Sequence, residues 1–345
     1  MEPCLSSPQI HLPKTNDGEG KSGEPSAVHV KKCKEIISTL PRKKGWKGSS
    51  DYLHQYQGFW YYDSFLEGIM SAQDHFQARS QDIIVASCPK TGTTWLKALT
   101  FAIATRTSFD DSTCTSPLLT KAPHECVPFL EIDLANDSSN RNMELNLVAT
   151  HIPYVSLPHS ILASGCKIVY IWRDPKDVFV SMWYFVAKQM ISKDSEPISL
   201  EEAFELFCQG IVNYGPYWDH VLGFWRARVE FPEKIMFVKY EEMMKDTCFY
   251  VKKLAEFMGY PFTSEEEERG MVENVINMCK FEKLSNLEVN KNGMHRPNTS
   301  LEIENNLYFR KGKVGDWENE LTAEMGARLD WIVEQKLSGS GLKLM

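Results

Sequence analysis

Apolar residues along the chain gather in short β-branched runs that alternate with longer segments of helical period. Runs at 82–87, 145–151, 166–172 and 234–240 have the length and composition of buried strands. The clearest is Cys166-Lys167-Ile168-Val169-Tyr170-Ile171-Trp172. Helical patterning covers 28–40 and 65–79, then 95–105, 176–189, 200–212, 217–229, 250–258, 265–277 and 322–337. Strands and helices alternating at this spacing predict crossover units on a mostly parallel central sheet flanked by helices, a single α/β domain over 28–345. Residues 1–27 are polar and rich in Ser, Pro and Gly, and read as a disordered tail. The stretch 42–60 is basic and then aromatic and receives no element. Two stretches, 108–146 and 285–306, lack periodicity; loops of that length in a compact domain are functional lids or partly disordered.

In open parallel sheets ligands bind beyond the carboxyl ends of the strands. The four predicted strands run into Lys90, His151, Arg173 and Tyr240. After the first comes Cys88-Pro89-Lys90-Thr91-Gly92-Thr93-Thr94-Trp95-Leu96-Lys97, a turn leading into a helix. A helix N-terminus presents free N–H groups and the positive end of the helix dipole, which suits an anion. Lys90 adds a point charge, and Thr91, Thr93 and Thr94 add hydroxyls around Gly92, so a phosphate or sulfate is the expected guest. The same residues also suit an ordinary surface turn, with Thr93 or Thr94 as a helix cap. The Lys precedes the only Gly, so the loop is not the G-x-x-x-x-G-K-[ST] of common ATPases and GTPases.

The net charge of −8 argues against a general nucleic-acid or membrane-surface binder, so an anionic ligand needs local positive clusters. Two more are present. In Trp172-Arg173-Asp174-Pro175-Lys176-Asp177, Asp174 suits a helix cap with Pro175 at the first position, and Arg173 with Ser181, two turns on, can bind a second phosphate. Phe309-Arg310-Lys311-Gly312-Lys313-Val314-Gly315-Asp316-Trp317 forms a tight basic loop, either a solvated turn or a third clamp. His151 is either structural or a general base toward a hydroxyl. Trp95, Tyr240 and Phe281 are candidates to stack on a ligand ring. The nine cysteines are scattered with no C-x-x-C, and no histidines stand at metal-ligand spacing. Reduced thiols in a cytoplasmic protein and no metal site are therefore expected. No apolar leader is visible, and no run approaches the ~18 apolar residues of a membrane helix.

Together these segments resemble the cytosolic sulfotransferases, most closely their plant flavonol-sulfotransferase-like branch, from about Leu40 onward. Pro89 to Trp95 resembles the family's 5′-phosphosulfate loop, Tyr170 to Asp177 with Ser181 its 3′-phosphate motif, Phe309 to Gly312 with Gly315-Asp316-Trp317 its C-terminal signature, and Thr150-His151-Ile152-Pro153 its catalytic His segment. The resemblance implies a P-loop-NTPase-like sulfotransferase fold. It implies 3′-phosphoadenosine 5′-phosphosulfate (PAPS) as donor, adenosine 3′,5′-bisphosphate (PAP) as product and no metal. It implies a small hydroxylated plant metabolite as acceptor: a flavonol or other phenolic first, or a brassinosteroid, hydroxyjasmonate or desulfoglucosinolate. By the same resemblance Lys90, Thr91, Gly92, Thr93 and Thr94 hold the 5′ end. Arg173, Ser181, Arg310, Lys311 and Gly312 hold the 3′-phosphate, and Trp95, Tyr240 and Phe281 contact adenine. His151 is the base, Lys90 stabilises the transition state, and Phe129 and Phe185 line the acceptor pocket. Cys88 departs from the pattern where an aromatic residue is usual, which would loosen packing or expose a thiol. Cys279 and Lys280 stand where small hydroxyl residues are common, and Ala149 replaces a Lys found in animal members. Of the animal dimer motif, falling on Glu318, Thr322, Ala323 and Ala327, only the Thr survives, so a monomer or weak homodimer is expected. The rival readings are a nucleotide-dependent kinase and a non-catalytic binder of adenosine bisphosphates. The displaced Lys90 opposes the first, and the presence of both Lys90 and His151 opposes the second.

Overall fold

The computed structural model describes residues 27–48, 51–108, 115–135, 145–193 and 195–343. All but the last residue of the predicted tail lies outside them. Strands β1 (Arg42–Lys44), β2 (Tyr52–Tyr56) and β3 (Phe59–Tyr61) form a small antiparallel sheet. Strands β4 (Ile83–Ser87), β5 (Leu147–Thr150), β6 (Lys167–Trp172) and β7 (Ile235–Lys239) form the central sheet, all parallel, in the order β5-β4-β6-β7. Strands β8 (Met294–His295) and β9 (Ile303–Glu304) pair near the C-terminal loop. The four predicted strands are therefore present, each trimmed by one to three residues.

The central strands read as unbroken apolar runs because both faces are covered. Ile84, Ala86, Val148, Ile168, Tyr170 and Trp172 point into one core, shared with helices Asp63–His75, Pro175–Ile191 and Tyr217–Glu230. Ile83, Val85, Leu147, Ala149, Val169 and Ile171 point into the other, shared with Thr93–Thr105, Thr247–Met258 and Met271–Met278. The chain leaves β4 for β5 on one side and continues to β6 on the other. That reversal opens a crevice beside the end of β4. The register is flush: Ala86 pairs with Thr150 and with Tyr170, and Trp172 pairs with Lys239. The residues that follow the strands therefore emerge along one edge.

Several expectations are corrected. The stretch 42–60 holds β1, β2 and part of β3, and its Trp46 is buried with its indole donating to Ile211 O at 3.0 Å. Its aromatic residues follow no period because tertiary contacts, not a face of the strand, bury them. The single helix predicted over 265–277 is two, Ser264–Glu268 and Met271–Met278, broken where Gly270 takes φ +73°. The helix predicted over 200–212 ends at Cys208, before Gly210 at φ +77°. Tyr240 starts the short helix Tyr240–Lys245 rather than ending a strand. The described parts of the aperiodic stretches contain short elements, among them Pro123–Cys126 and the π-turn Leu130–Leu134 in the first and Glu288–Asn292 in the second.

That π-turn lies directly on helix Asp63–His75 at Gly68. A Cβ there would stand 1.8 Å from Glu131 O, so the backbones touch only because glycine has no side chain. Gly68→Ala must push the two apart, and we expect it to lower stability by about 3 kcal/mol, visible as a fall in Tm of several degrees.

Candidate active site

The turn after β4 is built by two left-handed residues, Lys90 at φ +69° and Gly92 at φ +114°, with Gly92 capping helix Thr93–Thr105. The cap is Gly92, not the Thr93 or Thr94 of the ordinary-turn reading. A Cβ on Gly92 would meet the Tyr240 ring at 2.7 Å and the Ile171 side chain at 3.1 Å, so only glycine fits. Thr91 is fully buried, and its hydroxyl lies 2.8 Å from Cys88 O and 3.1 Å from Ile171 O. It pins the loop to β6 instead of facing the cavity. Thr93 Oγ1 lies 2.7 Å from Ser87 Oγ. Cys88 is buried and burial pushes its thiol up, so it is not the exposed thiol that the departure suggested.

His151 follows β5. Its Nδ1 lies 2.7 Å from Ser87 O. A carbonyl only accepts, so Nδ1 carries the hydrogen and Nε2 keeps its lone pair. Burial, opposed by the bond to Ser87 and reinforced by Lys97, His220 and Lys90, pushes His151 down to about 3. The ring is therefore neutral at physiological pH. Its backbone is held as firmly: His151 N donates to Glu131 at 2.8 Å, and His220 Nε2 donates to His151 O at 2.9 Å. Glu131 is buried and also accepts from Thr150 Oγ1 at 2.9 Å and from the Tyr214 hydroxyl at 3.2 Å.

Arg173 follows β6. Asp174 caps helix Pro175–Ile191, accepting from Lys176 N at 2.8 Å, with Pro175 at its first position, as the sequence predicts. The guanidinium of Arg173 stacks 4.5 Å over the Tyr240 ring, and its Nη2 reaches Lys313 O at 2.6 Å and Asp177 at 3.1 Å. Its Nε is buried with no hydrogen-bond partner, an open donor. Asp177 is fully buried and also accepts from Gly315 N at 2.8 Å and Trp317 N at 3.1 Å. The basic loop is thereby docked on the end of β6. Within that loop Arg310 and Lys311 both pair with Asp316, at 2.5 and 2.8 Å. Gly312 sits so close to Phe281 that a Cβ would lie 2.5 Å from its ring.

The predicted site residues, Thr91 excepted, line one cavity of about 1000 Å³. Lys90, Thr93 and Thr94 stand at the helix N-terminus, Arg173, Ser181, Arg310, Lys311 and Gly312 form another part of the wall, and the His151 ring lies against Phe129 at 4.7 Å. Trp95 and Tyr240 meet edge to face at 5.6 Å, and Phe281 and Phe309 at 6.0 Å. Phe185 lies under the Lys90 ammonium at 4.1 Å. Sequence reasoning missed Glu131, His124, Lys97 and the Arg296–Asp133 pair, bidentate at 2.7 and 2.9 Å. For Lys97 and Glu131 the signal was a charge inside an apolar run, Trp95-Leu96-Lys97-Ala98-Leu99 and Val127-Pro128-Phe129-Leu130-Glu131-Ile132. Among the described residues no group of His, Cys, Asp and Glu could hold a metal ion.

Residues 80–341 match the family described as the sulfotransferase domain. The chain belongs to the sulfotransferase family. It is 53% identical over 319 residues to cytosolic sulfotransferase 17 of Arabidopsis thaliana, covering 90% of each chain. It is 52% identical over 312 residues to flavonol 3-sulfotransferase of Flaveria bidentis, covering 90% of this chain and 99% of that one. Among solved structures, an Arabidopsis thaliana sulphotransferase superposes with a TM-score of 0.69 at 36% identity, covering 90% and 94% of the two chains. A mouse sulfotransferase complexed with PAP superposes with a TM-score of 0.65 at 28% identity, covering 84% and 95%. The α/β architecture with its parallel sheet is thus that of the sulfotransferases. No helix among the described residues of this sulfotransferase is long and apolar enough to cross a membrane.

Asp177 is the structural key to the basic loop. Breaking a buried ion pair by removing one partner costs about 3–5 kcal/mol. For Asp177→Ala we expect a loss of that size in denaturant unfolding. We also expect limited proteolysis to cut the Lys313–Trp317 segment in the variant well before it cuts the wild type.

Proposed function

We propose that this sulfotransferase moves the sulfuryl group of PAPS to a hydroxyl of a small aromatic metabolite and releases PAP. The observation that carries the reading is the state of His151: a neutral imidazole, locked through Nδ1–H on Ser87 O, with Nε2 free to take a proton in the cavity that Lys90 also lines. Sulfuryl transfer, like phosphoryl transfer, needs in-line placement and charge stabilisation more than covalent help from the protein. The acceptor oxygen attacks sulfur, and its proton passes to His151 Nε2. The bond from sulfur to the bridging oxygen breaks, its electron pair stays on the 5′-phosphate of PAP, and Lys90 neutralises that charge. Thr93, Thr94 and the first amides of the helix hold the 5′ end. The open Nε of Arg173, with Ser181, Arg310 and Lys311, suits the 3′-phosphate, and the two aromatic pairs suit adenine. The fit to PAP is supported by the mouse relative, which was crystallised with it.

Phe129, Phe185, Tyr214 and Tyr308 also line the cavity and favour a flat, aromatic acceptor. With the likeness to flavonol 3-sulfotransferase, this supports a flavonol or another phenolic. The cytoplasm as its place is supported by the naming of its relatives as cytosolic. Incubation with PAPS or ATP and a panel of flavonols, brassinosteroids, hydroxyjasmonates and desulfoglucosinolates tests the reading. Transfer from ATP alone overturns it, and a strong preference for a non-aromatic acceptor overturns the phenolic assignment.

Two predictions follow from named residues. His151→Ala should remove most turnover while leaving PAP affinity nearly intact, whereas Arg173→Ala should weaken PAP binding by about 2–5 kcal/mol in titration calorimetry. The pH profile carries a sign. Burial, with repulsion from Arg310, Arg173 and Lys188, pushes Lys90 down to about 7, and an anion beside it must raise it again. Donor affinity is then full below pH 7 and declines as pH rises through that value, a decline that Lys90→Arg shifts upward. With His151 near 3, no acid limb of kcat/KM should appear around pH 6.5, the ordinary histidine range.

A further inference from the structure

The mechanism gives no task to the buried Lys97. Lys97 sits in helix Thr93–Thr105 and is fully buried, a rare condition for lysine. Its Nζ has contacts in three directions: Val127 O at 2.9 Å, His124 Nδ1 at 3.1 Å and the centre of the Phe129 ring at 3.2 Å. Burial pushes Lys97 well below the ordinary lysine range, and even as the neutral amine it has two hydrogens to give, one for Val127 O and one for His124 Nδ1. His124 is also buried, its ring 3.9 Å from that of Tyr308, and its other nitrogen, Nε2, lies 3.0 Å from Thr94 Oγ1. Thr94 faces the cavity from the anion loop. A continuous chain of contacts thus runs from the buried lysine to the site of transfer.

The charge of the ligand sets the direction of that chain. The Thr94 hydroxyl has one hydrogen. A negatively charged oxygen beside it takes that hydrogen, so Oγ1 must accept from His124. His124 Nε2 then carries the ring hydrogen. Burial, with repulsion from Lys97, His295, Arg296 and His151, holds the ring well below the usual histidine range, so it is neutral and its Nδ1 is bare. A bare Nδ1 accepts, and Lys97 donates. We propose that Lys97 and His124 are positioning residues that hold the Thr94 hydroxyl as a hydrogen-bond donor to the sulfuryl group during transfer. This assignment rests on the PAPS reading above. Without the relay the hydroxyl is free to turn its hydrogen onto His124 and present a lone pair to the anion.

The test is a double-mutant cycle on kcat with PAPS and a phenolic acceptor. Loss of a direct donor to a developing anion costs about 100-fold, so Thr94→Val should lose that much. A residue that only orients a direct ligand is worth less, so Lys97→Met should lose about 10-fold. Adding Lys97→Met to Thr94→Val should then change kcat by less than about twofold, because no hydroxyl remains to orient. A Lys97→Met enzyme within twofold of wild type, or losses that multiply in the double variant, overturns the relay. Wild-type protein that neither binds PAP nor turns over PAPS overturns the PAPS reading instead. If Lys97→Met does not fold, nitrogen-15 spectra of the wild-type protein with PAP decide, His124 being assigned by its loss in His124→Phe. The Nε2–H tautomer is expected, and the Nδ1–H tautomer overturns the proposal.

Discussion

The carboxylate of Asp177 holds the two cationic segments of the site together. It sits fully buried on the first turn of the helix after β6, and it binds Arg173 from its own segment and the amides of Gly315 and Trp317 from a segment 138 and 140 residues away. A buried charge is tolerated only when its lone pairs are satisfied, and here three donors do so. The consequence is geometric. The guanidinium of Arg173 is fixed over Tyr240, and the basic loop lies against the same strand end, so Arg310, Lys311 and Gly312 reach a cavity whose opposite wall is built by β4 and β5. Remove the carboxylate, and the tie between the two segments is reduced to Arg173 on Lys313 O and the Lys176 ammonium on the Trp317 ring.

On the opposite wall Glu131 does the corresponding task with neutral donors. It receives the amide of His151, the hydroxyl of Thr150 and the phenol of Tyr214, and its element is admitted only because Gly68 has no side chain. The backbone carbonyl of Ser87 then sets the tautomer of the imidazole. Orientation and protonation of His151 are therefore both fixed by Glu131 and the Ser87 carbonyl, neither of which lines the cavity, an arrangement that would preorganise a base.

The sheet and the anion loop were legible because they are local. Four β-branched runs, a single glycine at a turn and a capped helix at Asp174 each carry their own signal over fewer than about ten residues. The antiparallel strands at 42–61 were not legible, because their aromatic residues are buried by helices and loops distant in sequence. Glu131, Asp177 and Asp316 were visible as letters, two of them inside quoted motifs, but their partners lie at sequence separations that no pattern encodes. Thr91 shows the reverse error. A hydroxyl in a phosphate-type loop reads as a ligand contact, yet this one is spent on Cys88 O and Ile171 O to set the turn.

The pairing of charges shows where the site keeps its free energy. In an acidic chain, four cations of this cavity come with carboxylate partners: Arg173 with Asp177, Arg310 and Lys311 with Asp316, Arg296 with Asp133. Such pairs are positioned in advance and largely neutralised, so an anion that joins them gains register more than raw attraction. Lys90 differs. Its ammonium lies on the face of Phe185, and burial, with repulsion from Arg310, Arg173 and Lys188, loosens its proton. Lys90 thus brings a positive charge without a counter-charge to the loop where, in the proposed reaction, a bridging oxygen would acquire its negative charge. Binding residues with counter-charges beside a loop lysine without one is the distribution expected of a site in which that lysine's interaction with the donor can strengthen as charge develops in the transition state.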